Sequence, residues 1–311
     1  MKKSDEFVPI NPLNTAVLFL IFNRLETTKL VFEQIKTARP PKLYIACDGP
    51  RQSKPDEEKK VQEIRDYVLE HIDWDCEVQT LFRAQNLGCK RAVSQAIDWF
   101  FENESQGIIL EDDCLPCQSF FWFCEEMLNY YNDDLRVWHI SGDNFQNGKK
   151  RGDGDYYFSN YTHIWGWATW ADRWKNYDVD MSSYKTFVKN KRIKSIFENS
   201  NEQKYWLKAF EAVKSGKIDT WDYQWSYCAF VNNGLSVLPN ENLIENIGFG
   251  NDATHTYDES SKLAKLETKN MAFPIKHPRF MLRDKDADDF TAKTQFRKKS
   301  FLKRAIQKIK L

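Results

Sequence analysis

Between residues 15 and 141, short apolar runs alternate with stretches whose apolar side chains recur at helical spacing, as in a parallel sheet joined by crossover helices. Residues 15–22 read as a first strand. Residues 26–38 read as a helix with Leu30, Val31, Ile35 and Ala38 on one face, stopped by Pro40 and Pro41. Residues 42–47 make a second strand, and Asp48-Gly49-Pro50 a turn. The charged residues 51–60 read as a solvated loop entering a helix that runs to about Leu69. After a third strand at 76–82, Ala92, Val93, Ala96, Ile97, Phe100 and Phe101 have the spacing of a helix packed on a sheet. Gly107-Ile108-Ile109-Leu110 is short and wholly apolar, which fits a strand buried on both faces, and it stops abruptly at Glu111-Asp112-Asp113. The fold class is therefore α/β, with a mostly parallel, Rossmann-like sheet and flanking helices.

Beyond residue 141 the pattern loosens into an aromatic, loop-rich half containing Trp165, Trp167, Trp170, Trp174, Trp206, Trp221 and Trp225. From about residue 260 the chain turns polar, acidic over 284–289 and basic over 293–310, and reads as an appendage. There Phe301, Leu302, Ala305, Ile306 and Ile309 share one helical face ringed by Arg297, Lys298, Lys299, Lys303, Arg304, Lys308 and Lys310. Near an anionic bilayer each basic residue contributes about 1 kcal/mol, so this helix suits a membrane surface; docking on its own domain is the other reading.

Composition narrows the class. Lys and Arg number 45 against 45 Asp and Glu, a balance that argues against nucleic acid as the main partner. The apolar run at 16–22 falls far short of the roughly 20 residues of a membrane-spanning helix, and no secretion signal is evident at the start. Seven cysteines without regular spacing fit reduced, buried thiols; Cys114 and Cys117 lack the second pair that a zinc site needs. These features place the protein in the cytoplasm, at the inner face of the membrane if the basic tail binds there.

The chain lacks the G-x-x-x-x-G-K-[ST], G-x-G-x-x-G and G-x-S-x-G motifs. In an open parallel sheet, ligands collect at the carboxyl ends of strands, where Glu111-Asp112-Asp113 falls. A divalent cation bridging these carboxylates to a diphosphate would relieve their repulsion; a helix-capping acidic loop is the alternative. Arg24 and Asp48 project onto the same edge, where a base and ribose can lie, though both also read as turn residues. Asn86-Leu87-Gly88-Cys89-Lys90-Arg91 opens a helix with two cations, a partner for phosphate or for the triplet. Asp222, between Trp221 and Tyr223, suits a general base in a dry pocket, or a capping Asp beside core aromatics.

Taken in order, these motifs resemble a known family over about residues 15–257. The pattern runs through Phe22-Asn23-Arg24, Asp48-Gly49, Glu111-Asp112-Asp113, Val137-Trp138-His139-Ile140-Ser141-Gly142-Asp143-Asn144, Trp165-Gly166-Trp167, Trp221-Asp222 and the glycine-rich stretch 247–256. It is similar to the glycosyltransferases related to N-acetylglucosaminyltransferase I, including small soluble bacterial nucleotide-diphospho-sugar transferases. The resemblance implies a GT-A fold and an inverting transfer from a nucleotide-sugar, UDP-N-acetylglucosamine in the first instance, to a glycan or lipid-linked acceptor. It implies Asp113 as the direct ligand of Mn²⁺ (or Mg²⁺), Glu111 and Asp112 on the donor sugar and ribose, and Arg24 and Asp48 at the uracil end. Asp222 matches the general base. Residues 248–255, with Gly250 and His255, match a lid over the diphosphate. Residues 1–259 would form the transferase domain, its nucleotide-sugar half at about 1–141 and its acceptor half at about 142–259, with 260–311 appended. The membrane anchor of secretory-pathway members is not evident here, so their glycoprotein acceptor is not carried over. Two rivals remain. A sugar-1-phosphate nucleotidyltransferase would need a glycine-rich loop and Arg after the first strand, where Phe22-Asn23-Arg24-Leu25 stands. A non-catalytic carbohydrate-binding protein would use the tryptophans for stacking.

Overall fold

A computed structural model describes residues 7–249 and 266–296. The chain opens with β1 (Val17–Ile21), α1 (Leu25–Ala38), β2 (Lys42–Cys47), α2 (Glu57–Glu70), β3 (Glu77–Phe82), α3 (Gly88–Asn103) and β4 (Gln106–Glu111). It continues with β5 (Cys114–Pro116), α4 (Ser119–Tyr130), β6 (Val137–Ser141), β7 (Tyr156–Ser159), β8 (Trp167–Trp170) and the short α5 (Ala171–Trp174), α6 (Tyr184–Lys189) and α7 (Ile193–Ile196). Then come α8 (Ser200–Lys214), α9 (Asp222–Val231), β9 (Leu235–Pro239), β10 (Ile244–Asn246) and α10 (Lys285–Thr291).

Eight strands form one sheet in the order β3-β2-β1-β4-β8-β6-β9-β7, while β10 and β5 form a separate antiparallel ribbon. Pairing is parallel from β3 through β4 and between β6 and β9; β8 and β7 run the other way. The two-residue period of a strand divides the core. Val17, Phe19 and Ile21 of β1 enter one layer with Val31, Phe32 and Ile35 of α1, Ile64 of α2 and Phe121 of α4. Leu18 and Leu20 enter the other with Ala96, Ile97 and Phe100 of α3 and Trp225 of α9. That is why β1 and the Ile108-Ile109-Leu110 centre of β4 are apolar without alternation. The chain winds outward from β1 to β3 over the first layer, and α3 then returns on the opposite face to lay β4 beside β1. A crevice at the carboxyl ends of β1 and β4 follows from this reversal.

Two local expectations are corrected. Leu30 is 53% exposed, and Phe32 joins Val31, Ile35 and Ala38 on the buried face of α1. Residues 51–60 are not wholly solvated. Glu57 is buried, accepting from the backbone N–H of Arg51 at 2.7 Å, the Arg51 guanidinium and Asn23 Nδ2 at 2.8 Å.

The aromatic half supplies β8, which inserts Trp167 and Trp170 between β4 and β6. Trp167, Trp170, Trp174, Trp206, Trp221 and Trp225 are buried, and of that group only Trp165 keeps part of its surface exposed. Trp167 stacks on Trp221 with centroids 5.4 Å apart. Such rings are core, so stacking on sugars no longer accounts for the tryptophan content.

The stretch read as an appendage packs on this body over residues 266–296. Lys269 N donates to Asn242 O and Met271 N to Ser119 Oγ, both at 2.9 Å, and Met271, Ile275 and Ala287 are buried. The basic helix at 297–311 lies outside the described residues. Among the described residues, no helix is long and apolar enough to cross a membrane.

Beneath the tryptophans, His139 places Nε2 2.7 Å from His163 O and accepts from Trp225 Nε1 at 3.2 Å on Nδ1, an arrangement that suits the neutral imidazole. Burial lowers His139 from 6.5 to about 4, and burial, with His139 nearby, lowers His163 to about 3. Below pH 6.5 the unfolded chain therefore binds protons that the folded one refuses. Their stabilisation is complete above 6.5 and is lost as pH falls through these lowered values. Denaturant titrations between pH 6.5 and 4 should show His139→Gln with a slope shallower than wild type by about 1.4 kcal/mol per pH unit at most, one proton's worth. Parallel slopes would refute the neutral assignment.

Candidate functional site

The crevice opens into a cavity of about 710 Å³ at the carboxyl ends of β1, β2 and β4. Phe22, Asn23 and Arg24 enter from the end of β1, Asp48 from β2, and Glu111, Asp112 and Asp113 from β4. Ile164 and Trp165 line another wall, and residues 218–223, leading into α9, bring Asp219 and Asp222. The lining holds six carboxylates (Asp48, Glu111, Asp112, Asp113, Asp219 and Asp222) against three guanidiniums (Arg24, Arg51 and Arg83).

The acidic strand end has its own counter-ion. Arg24 forks across two carboxylates, one nitrogen hydrogen-bonded to Asp112 Oδ1 and Nη1 2.8 Å from Asp113 Oδ2. Burial opposes the guanidinium charge, but Asp112 and Asp113 outweigh it and raise its pKa further. Asp112 is buried and also accepts from Phe22 N at 3.3 Å. Burial raises its carboxyl above the usual range, with Arg24 pulling the other way. Glu111 is raised too, by burial and then by the Asp113 and Asp112 charges. A net negative edge remains after Arg24 is counted.

The chain after β10 crosses this pair. Ile247 N donates to Asp113 O at 2.8 Å, and Gly248 N to Asn246 Oδ1 at 3.0 Å. A Cβ on Gly248 would lie 2.1 Å from Asp113 Oδ2 and 2.8 Å from Arg24 Nη1, so the close approach requires glycine. Gly250 and His255 lie outside the described residues.

The start of α3 is already occupied. Asp48 accepts from Gly49 N at 2.9 Å, from Leu87 N at 3.0 Å and from Gly88 N at 3.2 Å. Asp219 Oδ1 accepts from Lys90 N at 3.4 Å, and its Oδ2 stands where Gly88, at φ +77°, leaves room. Two carboxylates thus take backbone amides at the start of this helix, and the partner of the acidic triplet is Arg24 rather than Lys90 or Arg91. Burial raises the Asp48 carboxyl, opposed by the Leu87 and Gly49 N–H groups. Asp48 lines the cavity while tying β2 to α3.

Asp222 is the first residue of α9 and accepts the Thr220 hydroxyl on Oδ1. It faces the same cavity as Asp113, close enough for its charge to bear on Glu111. Among the described residues no group of three or more His, Cys, Asp or Glu side chains is arranged to hold a metal ion. Asp113, a carboxylate at the cavity edge with little exposure, fits the site in which one protein carboxylate and substrate phosphates share a hard cation. Sequence reasoning brought Arg24, Asp48, Glu111, Asp112, Asp113 and Asp222 to one cavity. It missed Asp219, three residues before Asp222, and Arg83, whose guanidinium donates to Ala92 O at 3.3 Å and whose pKa burial lowers. A charge directly after the third strand was the available signal for Arg83.

No protein-family model and no curated protein sequence matches the chain. Among solved structures it is similar to HddC from Yersinia pseudotuberculosis at 11% identity and TM-score 0.30, over 51% of this chain and 77% of that one. It is similar to the glycosyltransferase GlyE of Streptococcus pneumoniae at 11% identity and TM-score 0.35, over 72% of this chain but 45% of that one. A third is 4-diphosphocytidyl-2C-methyl-D-erythritol synthase from Anaerococcus prevotii, at 7% identity and TM-score 0.30, over 56% of this chain and 77% of that one. At these scores the likenesses carry no functional weight.

Proposed function

We propose that the protein is a cation-dependent, inverting glycosyltransferase acting from a nucleotide-diphospho-sugar, UDP-N-acetylglucosamine in the first instance, onto a hydroxyl of a glycan or lipid-linked acceptor in the cytoplasm. The observation that carries the reading is the excess of acidic groups in the cavity, six against three guanidiniums, an excess that persists with the raised Glu111 carboxyl left out of the count. A diphosphate is repelled by such a wall unless a divalent cation accompanies it, and Asp113 is the carboxylate to hold Mn²⁺ or Mg²⁺ there. When bound, that cation would supply charge neutralisation at the diphosphate.

The protein's own groups then divide the work. Glu111 and Asp112 are acceptors for hydroxyls of the donor sugar and ribose. Asp222, oriented by Thr220, takes the proton of the acceptor hydroxyl as its oxygen bonds to the anomeric carbon; the bond from that carbon to the diphosphate breaks, and its electron pair leaves with the nucleoside diphosphate. Attack opposite the leaving group inverts the anomeric centre. The buried tryptophans beneath Asp222 keep that wall dry.

A thermal-shift screen of nucleotide sugars with and without Mn²⁺ is the direct test. At 100 times its dissociation constant a ligand stabilises the folded state by about 2.7 kcal/mol, so a matched donor should raise Tm by several degrees only when Mn²⁺ is present. Release of nucleoside diphosphate identifies a glycosyltransferase, whereas pyrophosphate exchange with a sugar phosphate and a nucleoside triphosphate would identify a nucleotidyltransferase. No shift with any donor would dismiss both.

A further inference from the structure

We infer that Arg24 and a divalent cation are alternative partners of Asp113, so that cation and donor enter the site as one cooperative unit; this rests on the donor reading above. Arg24 Nη1 lies 2.8 Å from Asp113 Oδ2 while the other arm of the fork holds Asp112. Gly248 is set against the same two atoms, and Asp113 Oδ1 accepts the Cys114 thiol at 3.4 Å. A doubly charged ion at Oδ2 would meet the guanidinium head-on, in a space already walled by backbone. One positive group therefore excludes the other from this oxygen.

The guanidinium has a second destination of the same shape. Its fork matches a phosphate as well as a carboxylate pair, and the cavity that would receive the diphosphate begins at Arg24. The backbone need not move. Arg24 O accepts from Thr28 N at 3.0 Å and from Thr28 Oγ1 at 2.7 Å, which fixes the residue at the head of α1 and leaves the side chain to swing. An arriving diphosphate draws the fork away from Asp113, and the uncovered carboxylate and the phosphates then share the cation. By linkage, the donor must tighten cation binding by the factor by which the cation tightens donor binding.

The test is a Mn²⁺ titration followed by the EPR signal of the free aquo ion, with and without each of UDP, GDP, CDP and dTDP, on wild type, Arg24→Gln, Arg24→Lys and Asp113→Asn, each confirmed folded by circular dichroism. Wild type should bind Mn²⁺ at least tenfold more tightly with its nucleotide than alone. Arg24→Gln should bind Mn²⁺ alone at least fivefold more tightly than wild type and lose most of the nucleotide effect. Arg24→Lys, whose single ammonium lacks the fork, should fall between them. Asp113→Asn should remove the site in every condition. If both Arg24 variants bind Mn²⁺ alone no better than wild type while wild type keeps its nucleotide coupling, the exchange is overturned and the donor reading stands. If no nucleotide alters Mn²⁺ affinity in any variant that folds, the donor reading itself falls, and the exchange with it.

Discussion

Replacing Asp222 with Asn should slow nucleoside diphosphate release by about 10²–10⁴-fold at saturating donor and leave donor affinity within about twofold of wild type. The variant isolates proton transfer. Asn keeps the size of Asp and an oxygen that accepts the Thr220 hydroxyl, so that contact at the start of α9 is preserved while the basicity of the carboxylate is lost. Steady-state kinetics and calorimetric titration of the donor separate the two quantities. An unchanged kcat would transfer the base role elsewhere, with Asp219 the next carboxylate on the same wall.

The second large effect belongs to Asp113. Asp113→Asn should weaken donor binding in the presence of Mn²⁺ by about 100-fold, equivalent to about 2.8 kcal/mol, and abolish the difference between titrations with and without the ion. Its melting temperature without ligands should change little. The Asn oxygen still accepts from Arg24, and the repulsion that Asp113 exerts on Glu111 has been removed. A variant that kept cation-dependent donor binding would place the cation on another carboxylate.

The first half of the fold was legible because its physical signals are local. The first strand and the centre of the fourth are buried on both faces and therefore apolar, so Leu18 and Ile109 mark strands without knowledge of their partners. The second half was not, because its order depends on pairing between distant segments. Trp167–Trp170 reads as aromatic loop until it is seen between Gln106–Glu111 and Val137–Ser141, and nothing local to Leu235–Pro239 says that it runs parallel to Val137–Ser141. Tryptophan content was ambiguous for the same reason, since a ring that can stack on a sugar can equally fill a core.

At the site, topology was legible and pairing was not. Placing Arg24 and the acidic triplet on one edge followed from counting strands. That Arg24 reaches back to Asp112 and Asp113 depends on side-chain reach across the edge, which periodicity does not encode. Asp48 likewise read as a ligand for a base or as a turn residue, and its three backbone donors come from Gly49, Leu87 and Gly88, two of them about forty residues away.

The small ribbon of Cys114–Pro116 and Ile244–Asn246 pairs Asn246 opposite Cys114. Each strand adjoins one side of the Arg24–Asp113 pair, so that register decides which residue rides above Asp113. A slip of one position would thrust the side chain of Ile247 or Phe249 into the carboxylate–guanidinium pair where Gly248 now passes. Three paired positions thus serve as an alignment gauge, and a single-residue insertion there would leave the eight-stranded scaffold intact while obstructing the acidic edge of the cavity.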